Sequence, residues 1–416
     1  MHGENLHPRR AIGLPPMKNP KPQSLVGKHL SVIIEKVAHG GHFIARNEGQ
    51  VFFVRHAIPG ETVEVQVTSA GSSFLRADVV RVIEPSPDRV IPPCEYSHSG
   101  GCGGCDFQHI SLPRQRKLKS EVIKEQFTRL AKMEVVVEVE EVGEPLHWRT
   151  RISCATTDTG EIGFYQSRSH NVVAVKECLI ASSAMKFTEI ASRKWPAHSR
   201  IEISTSSDGD RSIAIAPVGR GTHARLTDGP QVLKEVINGR EVEVSQRSFW
   251  QSHDLAPEVL TGAVREYVQI GDHLLDLYGG VGLFTAALLE GVGPEGQIDI
   301  IESSLSATAD AKRNFAHVSN VTVHTGDVLR ELGQIQKADV VLLDPPREGA
   351  GRETLAAICI FRPRTIIYVA CDPAALARDA AYFSDMGYEM VSLRAFDLFP
   401  MTHHIECVAA FEPSQK

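Results

Sequence analysis

The chain changes its hydrophobic rhythm several times, and each change marks a different kind of element. Residues 29–34, 51–54, 61–67 and 77–82 are rich in β-branched side chains and partly alternate apolar with polar positions. That is the period of a half-buried strand. Gly40-Gly41, Asn47-Glu48-Gly49, Pro59-Gly60 and Ala70-Gly71-Ser72 supply turns between them. Four or five short strands at this spacing predict a small closed β-barrel of oligonucleotide-binding type. From about residue 250 the pattern is different. Residues 274–278, 298–301, 321–324, 340–343 and 365–370 are short apolar runs separated by helical stretches. This alternation predicts a doubly wound α/β domain with a mainly parallel sheet.

The segments between carry other signals. Residues 1–23 are Pro-rich and polar without periodicity, so they read as a disordered lead-in. Pro85, Pro87, Pro92 and Pro93 mark a boundary after the barrel, and a Cys- and Gly-rich stretch follows at 94–105. Residues 113–132 predict an amphipathic helix in which Arg114, Arg116, Lys117, Lys119, Lys124, Arg129 and Lys132 outnumber Glu121 and Glu125. A solvated face is the simplest role for such a run. Residues 145–235 return to strand signals, with Asp208-Gly209 suited to a hairpin turn. The expected organisation is a tail (1–23), a barrel (24–86), a central α+β domain (87–245) whose helix 113–132 packs on the catalytic part, and an α/β domain (246–416).

Composition narrows the class without deciding function. With 416 residues, 42% hydrophobic and 23% charged, the chain suits two or three globular domains. A net charge of −7 does not advertise a nucleic-acid binder, although the 113–132 run is locally basic. No apolar run approaches the roughly 18 residues of a membrane helix. The first ten residues lack a signal-peptide core, so a cytoplasmic protein without membrane contact is expected. Eight cysteines then suggest metal binding or catalysis rather than a disulfide scaffold.

Residues 274–282, Leu-Leu-Asp-Leu-Tyr-Gly-Gly-Val-Gly, are a strand entering a Gly-rich turn and then a helix from about Leu283. Such glycines let backbone approach a ligand at the carboxyl end of a strand. Glu302 ends the next strand, where a carboxylate can accept from both hydroxyls of a ribose. A dinucleotide fingerprint would want a third glycine near 285, where Thr285 stands. The run from Asp276 through Gly280 and Gly282, with Glu302 and then Gly326-Asp327, resembles the S-adenosylmethionine site of class I methyltransferases. Asp327 is then placed to meet the adenine amino group.

Asp344-Pro345-Pro346-Arg347 ends the fourth strand over the same crevice. Many amino-group methyltransferases place an aromatic after Pro-Pro, and Arg347 argues against that chemistry. Cys371 ends the fifth strand, with Asp372 suited to cap the next helix and Pro373 to its first position. A thiol there faces a helix N-terminus, which predicts a lowered pKa opposed in part by Asp372. A cysteine at a strand end is more often a buried small hydrophobe. In this crevice it has a chemical use. Carbon 5 of a pyrimidine is a poor nucleophile until a thiolate adds to carbon 6 and makes the ring an enolate. A base must afterwards remove the carbon-5 proton. Glu406, in Phe-Pro-Met-Thr-His-His-Ile-Glu (399–406), is the candidate, although alone that stretch suits a metal site or a solvated turn.

Together these motifs resemble the S-adenosylmethionine-dependent RNA uracil-5-methyltransferases, which modify tRNA and 23S rRNA. The similarity covers nearly the whole chain after residue 24, including a barrel that resembles a TRAM domain. The resemblance implies a class I methyltransferase fold, a monomer acting on RNA, Cys371 as nucleophile and Glu406 as proton acceptor. It places Gln251, in Ser248-Phe249-Trp250-Gln251, on the cofactor, and puts Tyr278, Glu302, Asp327 and Asp344 among the remaining cofactor or uracil contacts. Three positions depart from the family pattern. Gly279 stands where Cys is frequent, Leu283 where some members have a cofactor-contacting Asn, and Asp372 where Asn is usual.

Cys94, Cys102 and Cys105, with Cys178, make four thiolates able to hold a [4Fe–4S] cluster or a tetrahedral zinc. Many members of the family carry an iron–sulfur cluster at Cys-x5-Cys-Gly-Gly-Cys plus a distant Cys. Here the first spacing is two residues longer. The expected role is structural, tying barrel to central domain, whereas Cys154, Cys359 and Cys407 read as core residues. A uracil in folded RNA must be splayed out to meet Cys371. Arg149, Arg151, Arg168, Phe164, Tyr165 and His170 are candidate RNA contacts. The alternatives are RNA cytosine-5 methylation by the same covalent route and a non-catalytic RNA-binding protein.

Overall fold

The computed structural model describes residues 25–219 and 224–415. The expected disordered lead-in at 1–23 lies outside the described residues. The described chain forms two compact units. One holds residues through Lys36 with Phe43–Pro85, and the other holds Val37–His42 and the chain from Ser86 onward.

Five strands close the barrel: β1 (His29–Ala38), β2 (His42–Asn47), β3 (Gln50–Arg55), β4 (Thr62–Ala70) and β5 (Leu75–Glu84), in the order β1-β2-β3-β5-β4. Alternation does what the pattern predicts. Val63, Val65 and Val67 of β4 are buried with Val32 and Ile34 of β1, while Gln66 and Ser31 point out. Residues 42–47, where β2 runs, were not among the predicted strands. It is six residues long and lies between two turns, and its pairing with β3 (Phe43 opposite Val54, Ala45 opposite Phe52) is what makes it a strand.

The second unit begins its regular structure with α1 (Leu112–Gln126), which has Pro113 in its first turn and widens into a π-helical turn over Phe127–Ala131. After β6 (Val139–Glu141) come β7 (Arg151–Thr156), β8 (Ile162–Tyr165), β9 (Val172–Ala174), α2 (Phe187–Ala191), β10 (Ser199–Thr205), β11 (Arg211–Pro217) and β12 (Arg225–Asp228). The last six strands form one sheet, β12-β11-β10-β7-β8-β9. Asp208-Gly209 lies in the predicted turn, with Gly209 at φ +85° and its N–H donating to Ser206 O. A separate hairpin, β13 (Val232–Ile237) and β14 (Arg240–Ser245), leads to α3 (Ala256–Val264).

The catalytic layer follows as β15 (His273–Leu277), α4 (Leu283–Val292), β16 (Gln297–Glu302), α5 (Leu305–Asn314), β17 (Val321–Thr325), α6 (Val328–Leu332), β18 (Val340–Leu343), α7 (Arg352–Ile360), β19 (Thr365–Ala370), α8 (Pro373–Asp385), β20 (Tyr388–Asp397) and β21 (Glu406–Pro413). Its order is β17-β16-β15-β18-β19-β21-β20-β6. β15 to β19 are parallel, β21 is antiparallel to both neighbours, and β6 adds a parallel edge beside β20. Every residue of β18 and β19 is buried, as expected for strands covered on both faces.

The basic run at 113–132 is not a uniformly solvated face. Lys119 is buried, its Nζ donating to Asp397 Oδ1 at 2.6 Å and to Phe399 O at 3.0 Å. Arg114 pairs with Glu121 at 2.6 Å and Arg116 with Glu141 at 2.8 Å, which leaves Lys117, Lys124, Arg129 and Lys132 as the exposed cations of the run. Burial pulls the Lys119 pKa down, and the Asp397 carboxylate opposes it. Removing one member of such a pair strands the other charge in the interior. Lys119→Met should therefore cost about 3–5 kcal/mol in urea denaturation. Adding Asp397→Leu should recover most of that loss, whereas equal instability of single and double variants would count against a charge-pair origin.

Candidate active site

The register of the parallel strands gathers the predicted residues at one edge. Leu277 lies beside Ile301 on one side and Leu343 on the other, and Leu343 lies beside Tyr368. Tyr278, Glu302 and Asp344 each follow or end these strands, so they share the carboxyl rim where ligands bind in such sheets. β21 runs the opposite way. Its register pairs Ala370 with Cys407, and the next step sets Cys371 against Glu406. Directly opposed residues point to the same face. Cys371 and Glu406 therefore face one crevice while Cys407 turns into the core, fully buried.

The Gly-rich turn is shaped for a close ligand. Tyr278 adopts φ 60°, an unusual conformation for a non-glycine residue, and its hydroxyl bonds to Thr354. Gly280 (φ +58°) has open space where a Cβ would stand, and its N–H donates to Glu302 Oε2 at 3.2 Å. Gly282, at φ +95°, precedes α4, and a Cβ there would come within 2.3 Å of the Phe315 ring. Glu302 is further held by Ser304 N–H at 2.6 Å. Asp327 caps α6, accepting from Arg330 N–H through Oδ1 at 3.2 Å. The departures also have local accounts. A Cβ at Gly279 would meet Ile300 at 2.8 Å, and Leu283 is buried in the apolar core beneath the turn.

Asp276 is a site residue that the sequence motif contained without its role being visible. Its Oδ2 accepts from Thr285 N–H at 3.1 Å and Thr285 Oγ1 at 2.7 Å, while buried Oδ1 has no hydrogen-bond partner. Burial, with a smaller contribution from Glu302, pushes its pKa up to about 6. Asp344 is raised by burial and then by Asp276, and Glu406 is raised well above the usual carboxylate range by burial and then by Asp344. Two buried acids, Asp276 and Glu406, and the half-buried Asp344 between them thus lie in electrostatic contact, ending beside a thiol. This crevice favours a cationic guest, and the orphaned Asp276 oxygen fits one that brings hydrogen-bond donors.

The same surroundings reverse the expectation for Cys371. Its pKa is pushed up to about 12, by burial first and then by Glu406 and Asp344, with Arg347 opposing and Asp372 adding. The helix N-terminus is present as predicted: Asp372 Oδ1 accepts from Ala374 N–H at 2.8 Å and Ala375 N–H at 3.0 Å. Its field is outweighed by burial and by two carboxyl groups, Glu406 and Asp344, that fold topology brings in from elsewhere in the chain. The 399–406 loop is pinned from below. Gln115 Nε2 donates to Phe107 O and Ile110 O, its Oε1 accepts from Met401 N–H at 2.9 Å, and Phe107 N–H donates to Met401 O. His403 Nδ1 meets Asp106 Oδ2 at 2.6 Å. Burial drives His404 down to about 3, so it remains neutral beside Glu406.

The segment bearing Gln251 is anchored by Asp310 of α5, which accepts from Ser248 Oγ at 2.5 Å and from Ser245 N–H at 2.9 Å. Gln251 is buried, whereas Phe249 is exposed. Of the candidate RNA contacts, Arg151 lies beneath this segment, donating to Ser248 O at 2.8 Å, and Arg149 donates to Arg151 O at 3.0 Å. Phe164 stacks on Phe187, a packing role. Tyr165 and His170 instead line a cleft of ≈ 560 Å³ with His198 and Asn171, and Arg168 is exposed nearby in sequence.

Cys94, Cys102, Cys105 and Cys178 occupy one neighbourhood. The Cys105 thiol is raised by burial and feels the other three sulfurs. Their loop needs its glycines, since a Cβ at Gly101 would come within 2.2 Å of Tyr96 O and one at Gly103 within 2.6 Å of Ser167 N. The donor chemistry suits a sulfur-ligated metal group, although no group of three or more His, Cys, Asp or Glu among the described residues is arranged to hold a metal ion. Cys154 and Cys407 are core residues, and Cys359 is half-buried.

Comparison with known proteins agrees with this geometry. Residues 198–412 match the family described as tRNA (Uracil-5-)-methyltransferase, and residues 23–80 match the TRAM domain. An uncharacterized RNA methyltransferase of Streptomyces coelicolor is 41% identical over 95% of each chain. The 23S rRNA (uracil(1939)-C(5))-methyltransferase RlmD of Shewanella amazonensis is 30% identical over 94% of this chain and 98% of its own. The crystal structure of Pyrococcus abyssi tRNA (uracil-54, C5)-methyltransferase in complex with S-adenosyl-L-homocysteine shares the fold, with a TM-score of 0.69 at 20% identity over 92% of this chain and all of that one. The chain belongs to the S-adenosylmethionine-dependent RNA uracil-5-methyltransferase family and carries that family's class I fold behind a TRAM barrel.

Proposed function

We propose that the protein methylates carbon 5 of a uridine in tRNA or 23S rRNA through a covalent Cys371 adduct at carbon 6. The carrying observation is the facing pair at the ends of β19 and β21, Cys371 and Glu406, beside Asp344 in one buried crevice. Bound S-adenosylmethionine supplies a methyl group on a sulfonium, and so also a positive charge. Gln251, Tyr278, Gly280, Gly282, Glu302, Asp327 and Asp344 form the proposed set that holds it or the target base, with Glu302 on the ribose hydroxyls and the free oxygen of Asp327 toward the adenine amino group. Asp276 Oδ1 is then available to a donor at the base of the crevice.

In this reading the Cys371 proton passes to solvent water, its sulfur as thiolate bonds carbon 6, and the electron pair of the carbon 5–carbon 6 double bond moves into the ring to leave carbon 5 nucleophilic. Carbon 5 takes the methyl. Glu406, as carboxylate, accepts the carbon-5 proton, and the returning electron pair expels the Cys371 thiolate. Electrostatics support the order of events. Beside a sulfonium Glu406 favours its ionised form; beside the neutral thioether left after transfer its proton affinity rises, at the step where it must accept a proton. The barrel, the central sheet and the Tyr165–His170 cleft are proposed to hold RNA around a splayed-out uridine. We assign the residues to four regions with the boundaries expected from sequence. Cys94, Cys102, Cys105 and Cys178 are proposed as ligands of a structural [4Fe–4S] cluster, on the strength of their donor chemistry and shared neighbourhood.

Three measurements test these statements. Incubation with cofactor and 5-fluorouridine-containing tRNA or 23S rRNA fragments should give a denaturation-stable protein–RNA adduct that Cys371→Ala abolishes. Undiminished carbon-5 methylation by that variant would sink the covalent route. Because burial raises their folded-state pKa values, Asp276, Asp344 and Glu406 hold protons more tightly in the unliganded fold than in the unfolded chain; that stabilisation is greatest at low pH and is lost as pH climbs through the raised values. Cofactor binding should then release protons between pH 6 and 8, read by calorimetry in buffers of different ionisation enthalpy, and should raise Tm more at pH 8 than at pH 6. Anaerobically purified protein should contain iron and acid-labile sulfide, both lost on Cys105→Ala. Stoichiometric zinc without sulfide would replace the cluster assignment.

A further inference from the structure

Asp372 stands where the family usually has Asn, and it is the residue next to the proposed nucleophile. A carboxylate there carries a cost that a neutral amide would not, because its charge raises the pKa of the Cys371 thiol beside it. The structure shows what answers that charge. Asp372 Oδ1 is fully engaged by the N–H groups of Ala374 and Ala375 at the start of α8. Its other oxygen, Oδ2, lies 3.2 Å from His39 Nε2. His39 belongs to Val37–His42, the short segment between the end of β1 and the start of β2 that groups with the second unit. Neighbouring Gly41 fits closely in the same place: a Cβ there would meet His403 Nδ1 at 2.9 Å and Asp106 Cγ at 3.0 Å. His39 is therefore held where its ring can reach Asp372 and not left free on a mobile tip.

We infer that His39 is a positioning residue for the nucleophile: its Nε2–H bond to Asp372 Oδ2 draws the carboxylate charge away from Cys371 and fixes Asp372 as the cap of α8. The chemistry explains why Asp suits this chain. Both oxygens accept, one from the helix amides and one from the imidazole, whereas the amide nitrogen of an Asn could bond that ring nitrogen only in the tautomer whose Nε2 accepts. Burial alone would raise the Asp372 carboxyl; the His39 bond and the two helix amides hold it below its usual value. The charged and titratable groups facing Cys371 are Glu406 from β21, Asp344 and Arg347 from the turn after β18, and Asp372. His39 acts on the last of these only.

The inference rests on Cys371 being the nucleophile, but its test needs no RNA. Alkylation of Cys371 by iodoacetamide, followed by mass spectrometry of its peptide in the full-length protein, reads thiolate availability directly. His39→Ala should slow that alkylation about three- to tenfold at pH 8 and move its pH profile upward, while His39→Gln, which keeps an N–H donor, should restore much of the rate. In an Asp372→Asn background, His39→Ala should have no further effect. Thermal melts confirm that each variant is folded. Alkylation unchanged by His39→Ala, or an equal effect in the Asp372→Asn background, would overturn the inference. Failure of the wild type to form an adduct with fluorouridine RNA would instead refute the proposed function and leave the alkylation result intact.

Discussion

Three carboxyl groups, the buried Asp276 and Glu406 with the half-buried Asp344 between them, line one crevice, each within reach of the next one's charge. An interior of low polarizability cannot hold all three ionised without a cation to answer them. The unliganded crevice therefore holds protons that a cationic guest displaces. Burial and the same carboxyl groups push the Cys371 pKa up, which disfavours its thiolate in the unliganded crevice. In the proposed reaction, a thiol whose ionisation a positive cofactor would favour suits an enzyme whose cofactor is positive before methyl transfer and neutral afterwards.

That electrostatic arrangement depends on a fixed relation between strands. The antiparallel return of β21 against β19 ends with Ala370 opposite Cys407, which brings Cys371 and Glu406 to the same end of the two strands. The approach to β21 is held by a different part of the chain. Lys119 and Gln115, on successive turns of α1, tie down Phe399 and Met401, and Asp106 holds His403. The face of α1 that looked most solvated in sequence thus carries two buried polar anchors. Their hydrogen bonds are satisfied, which is what makes burying a lysine and a glutamine tolerable.

The stretch that carries Asp106 also carries the proposed metal ligand Cys105. The Cys-rich stretch is therefore linked to the loop that ends in Glu406 by one peptide bond and one hydrogen bond, from Cys105 to Asp106 and from Asp106 to His403. A structural cluster would act on catalysis through rigidity and not through electron transfer. On the other flank, Asp310 of α5 secures Ser248 and with it the segment leading to Gln251. The segment leading to Gln251 and the loop leading to Glu406 are thus each backed by a polar contact from an element distant in sequence, the kind of support a site needs to hold its geometry.

Local patterns in the sequence determined the strands and turns of both units, because alternation, β-branched runs and Gly or Pro turns are properties of neighbouring residues. They also determined the carboxyl-edge motif from Asp276 to Gly282, the Asp372 cap, and the identities of Cys371 and Glu406 through a resemblance carried by contiguous motifs. The short β2 escaped because its pairing with β3, more than its composition, makes it a strand. Protonation was decided by tertiary structure alone. The helix N-terminus next to Cys371 predicted an acidic thiol, yet burial first, and then carboxyl groups after β18 and at the start of β21, far away in sequence, pushed it the other way. Lys119, Gln115, Asp310 and His39 were likewise silent in sequence. Charge and hydrogen bonding act through space, so their outcome is fixed only when distant strands and helices are brought within a few ångströms of each other.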